Sequence, residues 1–316
     1  MREGLSYDDV LIEPRRSDVE SRSDVDISTE ILPGIEIDVP LISAPMDSVT
    51  GSRMAQEMSD VGGVGIIHRF CEPEEQVRMV SEVDGMVGAS IGLGNGGLER
   101  TNRVLDAGAD FVCVDVAHGH LEKTLDFVEE FDGIFDVPLM VGNVATHLGA
   151  EELYYSGADC VKVGVGPGSH CVTREKTGIG VPQFTAVRST EHTKPNIIAD
   201  GGIRKPGDAV KALMGGANAV MMGGELGRCL ESPEDDVWGM ASEKGKEQSG
   251  SEGYIEGAES EVDQQPLMKD VVQEYEDGIR SGLSYLGGHT IEEARENVSF
   301  IQITPATERR NGAFIE

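Results

Sequence analysis

Apolar residues along this chain come in short, evenly spaced runs. Eight stand out: Pro40–Met46, Val64–His68, Val87–Gly92, Phe111–Val116, Leu139–Val144, Cys160–Val165, Asn196–Gly201 and Ala219–Gly224. Most begin 21 to 28 residues after the one before, with a longer gap after the sixth. Runs so continuously apolar predict strands buried on both faces, as in a parallel sheet. The intervals hold helix-length segments such as Ser52–Asp60 and Pro206–Met214.

A weak internal repeat marks the joints. Asp106-Ala-Gly-Ala-Asp-Phe-Val112, Tyr155-Ser-Gly-Ala-Asp-Cys-Val161 and Met214-Gly-Gly-Ala-Asn-Ala-Val220 share one pattern, with Asp60-Val-Gly-Gly-Val-Gly-Ile66 a looser copy. Each reads as a helix end, a glycine in the left-handed region, then the next strand. Eight such units predict a (β/α)8 barrel. A doubly wound open sheet is the competing architecture, but the even spacing favours closure. The whole of 1–316 reads as one barrel domain, with a short flap near 235–265 and a C-terminal tail at 290–316.

Functional groups in such a barrel sit at the carboxyl ends of the strands. Those ends carry Pro45-Met46-Asp47, His68-Arg69, Asp115 with His118-Gly-His120, Asn143, Asp200-Gly201-Gly202 and Gly223-Gly224. The last two follow strands seven and eight, the usual phosphate site, where glycine N–H groups can hold an anion. The sixth strand runs into Val163-Gly-Val-Gly-Pro-Gly-Ser-His-Cys-Val-Thr-Arg174. Gly164, Gly166 and Gly168 permit a tight turn that presents Cys171, with Thr173 two residues on. A thiol becomes a nucleophile once deprotonated, and loop dipoles favour that state. A single cysteine is ordinarily inert, but the glycine loop at a strand's carboxyl end argues for chemistry here.

Charge adds a second theme. The chain has 57 acidic and 26 basic residues, a formal charge of -31, spread without a block. Its first lysine is Lys123. Such a surface suits high salt, where the Debye length falls to roughly 3 Å and self-repulsion is tolerable. The sign argues against nucleic-acid binding, which needs a basic face. Cys71, Cys113, Cys160, Cys171 and Cys229 form no C-x-x-C and read as free thiols in a reducing cytoplasm. No signal peptide and no apolar run of membrane-spanning length is present, so no membrane association is expected.

These motifs resemble the IMP dehydrogenase/GMP reductase family across nearly the whole chain. The most specific match is Val161–Arg174 with Thr177-Gly-Ile-Gly-Val-Pro-Gln183. Leu5-Ser-Tyr-Asp-Asp-Val-Leu11, Ala44-Pro-Met-Asp-Ser-Val49, Gly142-Asn-Val144 and Ala199-Asp-Gly-Gly-Ile203 support it. The resemblance implies that Cys171 attacks C2 of a purine nucleotide to form a covalent intermediate. It also implies that Ser169, Asp200, Gly202, Gly223 and Gly224 hold ribose and phosphate, with Met46 near the base. Asp115 and Asn143 would lie near the nicotinamide, and carbonyls of Gly164, Gly166 and Cys171 would form a potassium site. A homotetramer is expected on the same ground.

Both family reactions pass through the cysteine adduct: dehydrogenases take IMP and NAD+ to XMP, and reductases take GMP and NADPH to IMP and ammonia. Three features resemble the reductase. No CBS-type regulatory domain interrupts Cys71-Glu-Pro-Glu-Glu to Val87-Gly-Ala-Ser; the eighth run ends in Gly223-Gly224; and Glu243–Gly250 lacks the Arg-Tyr pair with which dehydrogenases activate water. Ser251-Glu252-Gly253 resembles a reductase element whose glutamate works with the threonine after the cysteine to protonate ammonia. Glu252 and Thr173 then form the proton-transfer pair, with Glu256 and Glu259 as neighbouring alternatives. Val114-Asp-Val-Ala-His-Gly-His120 and the tail from Gly282 to Pro305 look more like a bacterial dehydrogenase, and His170 replaces the family's usual aliphatic residue. The expected activity is therefore an NADPH-dependent GMP reductase (NAD possible). The alternatives are a compact IMP dehydrogenase and a catalytically impaired nucleotide-binding regulator.

Overall fold

In a computed structural model, the eight apolar runs close into the barrel their spacing predicts. The structure describes residues 3–168, 171–233, 237–238, 259–260, 265–304 and 307.

Before the barrel come β1 (Val10–Ile12) and a hairpin of β2 (Thr29–Leu32) and β3 (Ile35–Ile37). The barrel strands are β4 (Leu41–Ser43), β5 (Val64–Ile67), β6 (Val87–Ile91), β7 (Phe111–Asp115), β8 (Leu139–Val144), β9 (Cys160–Val163), β10 (Asn196–Asp200) and β11 (Ala219–Met222). Each pairs in parallel with the next, and β11 returns to β4 through Val220 opposite Leu41. Helices α1 (Ser52–Asp60), α2 (Pro73–Ser81), α3 (Asn95–Asp106), α4 (Glu122–Asp132) and α5 (His147–Tyr155) alternate with them. The long interval after β9 holds α6 (Thr173–Thr177) and α7 (Gln183–Thr190), and α8 (Pro206–Met214) follows β10. A single helix, α2, carries the chain from β5 to β6.

The repeat has the expected conformation. Gly62, Gly108, Gly157 and Gly216 follow helix ends with φ of 82°, 110°, 116° and 120°. A side chain is disfavoured in that region, which explains the recurrent glycine.

The hairpin has no counterpart among the eight runs. Its Ile31, Leu32, Ile35 and Ile37 are buried in one cluster with Ile42, Ile66, Phe111, Met140, Cys160 and Ile198 from inside the barrel. It therefore plugs the amino-terminal mouth. A second cluster fills the space between strands and helices, including Met268, Val272, Ile279 and Leu283 of the helix Met268–Leu286. The tail is tied down in part: Ile291–Arg295 is helical, and Phe300–Gln302 pairs antiparallel with β1. In the flap, Val237–Trp238 pairs with Glu259–Ser260. No helix among the described residues is long and apolar enough to cross a membrane.

Candidate active site

The carboxyl-terminal mouth opens into a cavity of about 1110 Å³, its mouth included. Its lining brings together Met46, Asp115, Asn143, Gly164, Gly166, Cys171, Thr173, Asp200, Gly202, Gly223 and Gly224. Residues spread over most of the chain thus converge, because every parallel strand delivers its last residue to the same rim. Ser169, His170, Glu252 and Glu256 lie outside the described residues. Glu259 is described only as part of its short strand.

The cysteine loop is held from both sides. Gly164 N–H donates to the Val144 carbonyl at 2.8 Å. A Cβ on Gly164 would stand 2.0 Å from the Asp200 carbonyl oxygen, so only glycine lets the loop pass β10. The Cys171 N–H donates to the Gly168 carbonyl at 3.0 Å, closing a turn. The Cys171 thiol then donates to Thr173 Oγ1 at 3.2 Å. Thr173 begins α6, and Arg174 reaches back to the Val181 carbonyl at 2.7 Å. A thiol and a hydroxyl are thereby within contact at the cavity wall, an arrangement through which a proton can pass.

Asp200 is the most connected of the expected binding residues. Its Oδ2 accepts from Asn143 Nδ2 at 2.7 Å and from Lys162 Nζ at 3.3 Å. Its carbonyl accepts from Gln183 Nε2 at 3.1 Å. Gln183 also donates to the Val163 carbonyl at 2.6 Å, joining β9 to β10 beneath the loop. Met46 borders Gly223, whose Cβ would lie 3.1 Å from the Met46 sulfur. Asp115 differs from simple expectation: it lines the cavity, but its side chain is 2 % exposed and ion-paired with Lys162. Its Oδ2 is buried and has no protein hydrogen-bond partner.

Lys162 lines the cavity, and Gln183 and Arg174 brace the loop above it; the reading of strand ends singled out none of the three. The signal for Lys162 was present. A lysine inside Cys160-Val-Lys-Val163, in a lysine-poor chain, must be buried and paired. Just past β5, burial lowers the His68 pKa to about 4, so His68 is neutral near pH 7 and accepts from the Phe70 N–H through Nδ1.

Comparison with known proteins shows the family. Residues 4–313 match the IMP dehydrogenase / GMP reductase domain. The chain belongs to the IMP dehydrogenase/GMP reductase family. Its members are oxidoreductases that use NAD(P)(H) as the redox cofactor, on a barrel like this one. The chain is 34% identical to GMP reductase 2 of Bos taurus, covering 95% of this chain and 94% of that one. It is 32% identical to the inosine-5'-monophosphate dehydrogenase of Nitrosopumilus maritimus, covering 96% and 97%. That second alignment runs over 462 positions, far more than the 316 residues of this chain, whereas the bovine one spans 332. A crystal structure of GMP reductase C318A from Trypanosoma brucei in complex with guanosine 5'-monophosphate superposes with a TM-score of 0.95 at 26% identity, covering 99% of this chain and 98% of that one.

Proposed function

We propose that this protein is a GMP reductase, converting GMP and NADPH to IMP, NADP+ and ammonia in purine salvage. The observation that carries the chemistry is the Cys171 thiol, 3.2 Å from the Thr173 hydroxyl, on the wall of a cavity shared with Asp200, Gly202, Gly223 and Gly224. The choice of reductase is supported by Gly223-Gly224, by Ser251-Glu252-Gly253, and by the lack of an Arg-Tyr pair in Glu243–Gly250. The GMP-bound relative supports a purine nucleotide as substrate.

In this reading the Cys171 sulfur bonds to C2 of the guanine and the C2–N bond breaks. Ammonia leaves with a proton passed by Glu252 and Thr173. NADPH is consumed, so it enters as a second substrate: its hydride goes to C2, the C2–S bond breaks, and IMP is released. Asp200 accepts from ribose hydroxyls, Ser169, Gly202, Gly223 and Gly224 hold the phosphate, and Met46 packs against the base. Asp115 lines the cavity, and its buried, unpartnered Oδ2 would accept an amide N–H once a small side-chain shift exposes it, the chemistry a nicotinamide carboxamide offers. Asn143 fixes Asp200 beside it.

Carbonyls of Gly164, Gly166 and Cys171 are hard oxygen donors suited to potassium. The Gly164 carbonyl already accepts from Asn143 Nδ2 at 2.9 Å, so it offers its second lone pair to a cation. The fit is to a weakly held monovalent ion. A homotetramer in a salty cytoplasm completes the reading, on the family's habit and the formal charge of -31.

The deciding experiment is a paired nicotinamide absorbance assay in molar potassium chloride. One cuvette holds GMP with NADPH, the other IMP with NAD+. Loss of NADPH absorbance with ammonia release supports the reductase. NADH formation from IMP would replace it with the compact dehydrogenase, a reading favoured by the 32% identity to a dehydrogenase-named relative. Nucleotide binding without either reaction would point to a regulator.

A further inference from the structure

Lys162 stands on β9, inside the barrel, with its side chain 1 % exposed. Its ammonium donates to Asp115 Oδ1 and, at 3.3 Å, to Asp200 Oδ2. Asp115 ends β7 and Asp200 ends β10, so one charge ties strands that do not pair with each other. The stem has room because residue 142 is glycine: a Cβ there would lie 2.5 Å from the Lys162 Cβ. Burial alone would discharge the lysine, but the two carboxylates together outweigh it and raise its pKa. Two carboxylates therefore share one permanent ammonium, and Asp115 Oδ2 still lacks a protein partner.

We infer that Lys162 is a positioning residue that couples the nicotinamide side of the cavity, at Asp115, to the nucleotide side, at Asp200. This rests on the roles given to those two carboxylates under the proposed function. The ammonium lies closer to Asp115 than to Asp200. A ligand N–H donated to Asp115 competes for that carboxylate and frees the ammonium to move toward Asp200. The charge and orientation with which Asp200 meets the ribose then depend on what occupies the other side. Such coupling is reciprocal in binding free energy.

The test is a double-mutant cycle read by calorimetric titration with GMP. Asp115 does not touch the nucleotide in this arrangement. Asp115→Asn should nevertheless shift the GMP Kd about three- to tenfold in the parent protein, a typical coupling for groups in one network. In a Lys162→Gln background the same substitution should leave the Kd unchanged. Equal shifts in both backgrounds would overturn the inference. Should Lys162→Gln fail to give a native circular dichroism spectrum, Asp115→Asn is combined with Asp200→Asn while Lys162 is kept. Non-additive Kd changes are then expected, and additive ones overturn the coupling. A parent protein that binds neither GMP nor IMP defeats the proposed function, and the inference with it. Additivity in a protein that binds GMP defeats the inference alone.

Discussion

The two ends of the barrel interior use the same eight strands for opposite purposes. At the amino-terminal end, Ile31, Leu32, Ile35 and Ile37 of the hairpin meet Phe111, Met140, Cys160 and Ile198 in a buried apolar plug. At the carboxyl-terminal end, Asp115, Lys162, Asn143 and Asp200 form a polar network under an open cavity, with the Asp115 and Lys162 charges buried. The side chains change from hydrocarbon to charge within a few residues along single strands: Cys160 faces the plug and Lys162 the site. Buried charge is costly and a hydrocarbon plug is not, so the polar end must be retained for something other than stability. Stability belongs to one end and chemistry to the other.

Substitutions at each end should therefore separate in what they change. The largest effect is expected for Cys171→Ala at the polar end. Turnover of GMP should fall by at least about 10⁴-fold, while calorimetry still detects nucleotide binding. Retention of full activity would remove the covalent route. At the plug, Phe111→Ala should lower unfolding stability by about 3–5 kcal/mol in a denaturant titration, because it empties a fully buried ring volume. The KM for GMP should stay unchanged, and a large rise in KM would dissolve the contrast between the ends. Glu252→Gln should slow ammonia release by about 10²-fold or more in single-turnover kinetics, with a smaller effect on hydride transfer. Equal slowing of both steps would shift attention to Glu256 or Glu259. Asp200→Ala should raise the KM for GMP about 10- to 100-fold, the loss expected when charge-assisted hydrogen bonds are removed.

The smallest effect concerns pH. His68 is neutral in the fold, its pKa lowered from 6.5 to about 4 by burial. The unfolded chain binds that proton first, so stability contributed by neutral His68 is present above pH 6.5 and is lost as pH falls toward 4. His68→Asn should flatten the urea midpoint in that window relative to the parent protein. An identical slope in both would place the pH dependence in the carboxylates instead.

Much of the architecture was legible in the chain. Eight apolar runs announce strands buried on both faces, and glycines at Gly108, Gly157 and Gly216 announce the turns, because both signals depend only on neighbours in sequence. The hairpin was not legible in the same way. Thr29–Leu32 and Ile35–Ile37 are four and three residues long, too short for periodicity to separate from loop. Met46, Cys171, Asp200, Gly223 and Gly224 could be named as neighbours at one rim because a strand's end is a position along the chain, and they do line one cavity.

Pairing across the barrel belongs to the tertiary structure. Lys162 lies 47 residues from Asp115 and 38 from Asp200, and Asn143 lies 57 from Asp200. Strand order and register decide whether those side chains meet, and neither is written in local pattern. The sequence by itself determined the repeating units, the cysteine loop and the acidic surface, since each follows from residue type and spacing. Only the closed barrel decided that Asp115 would be shielded behind an ammonium rather than bare at the rim. It also decided that one lysine would serve two carboxylates, because a low-dielectric interior leaves no water to do so.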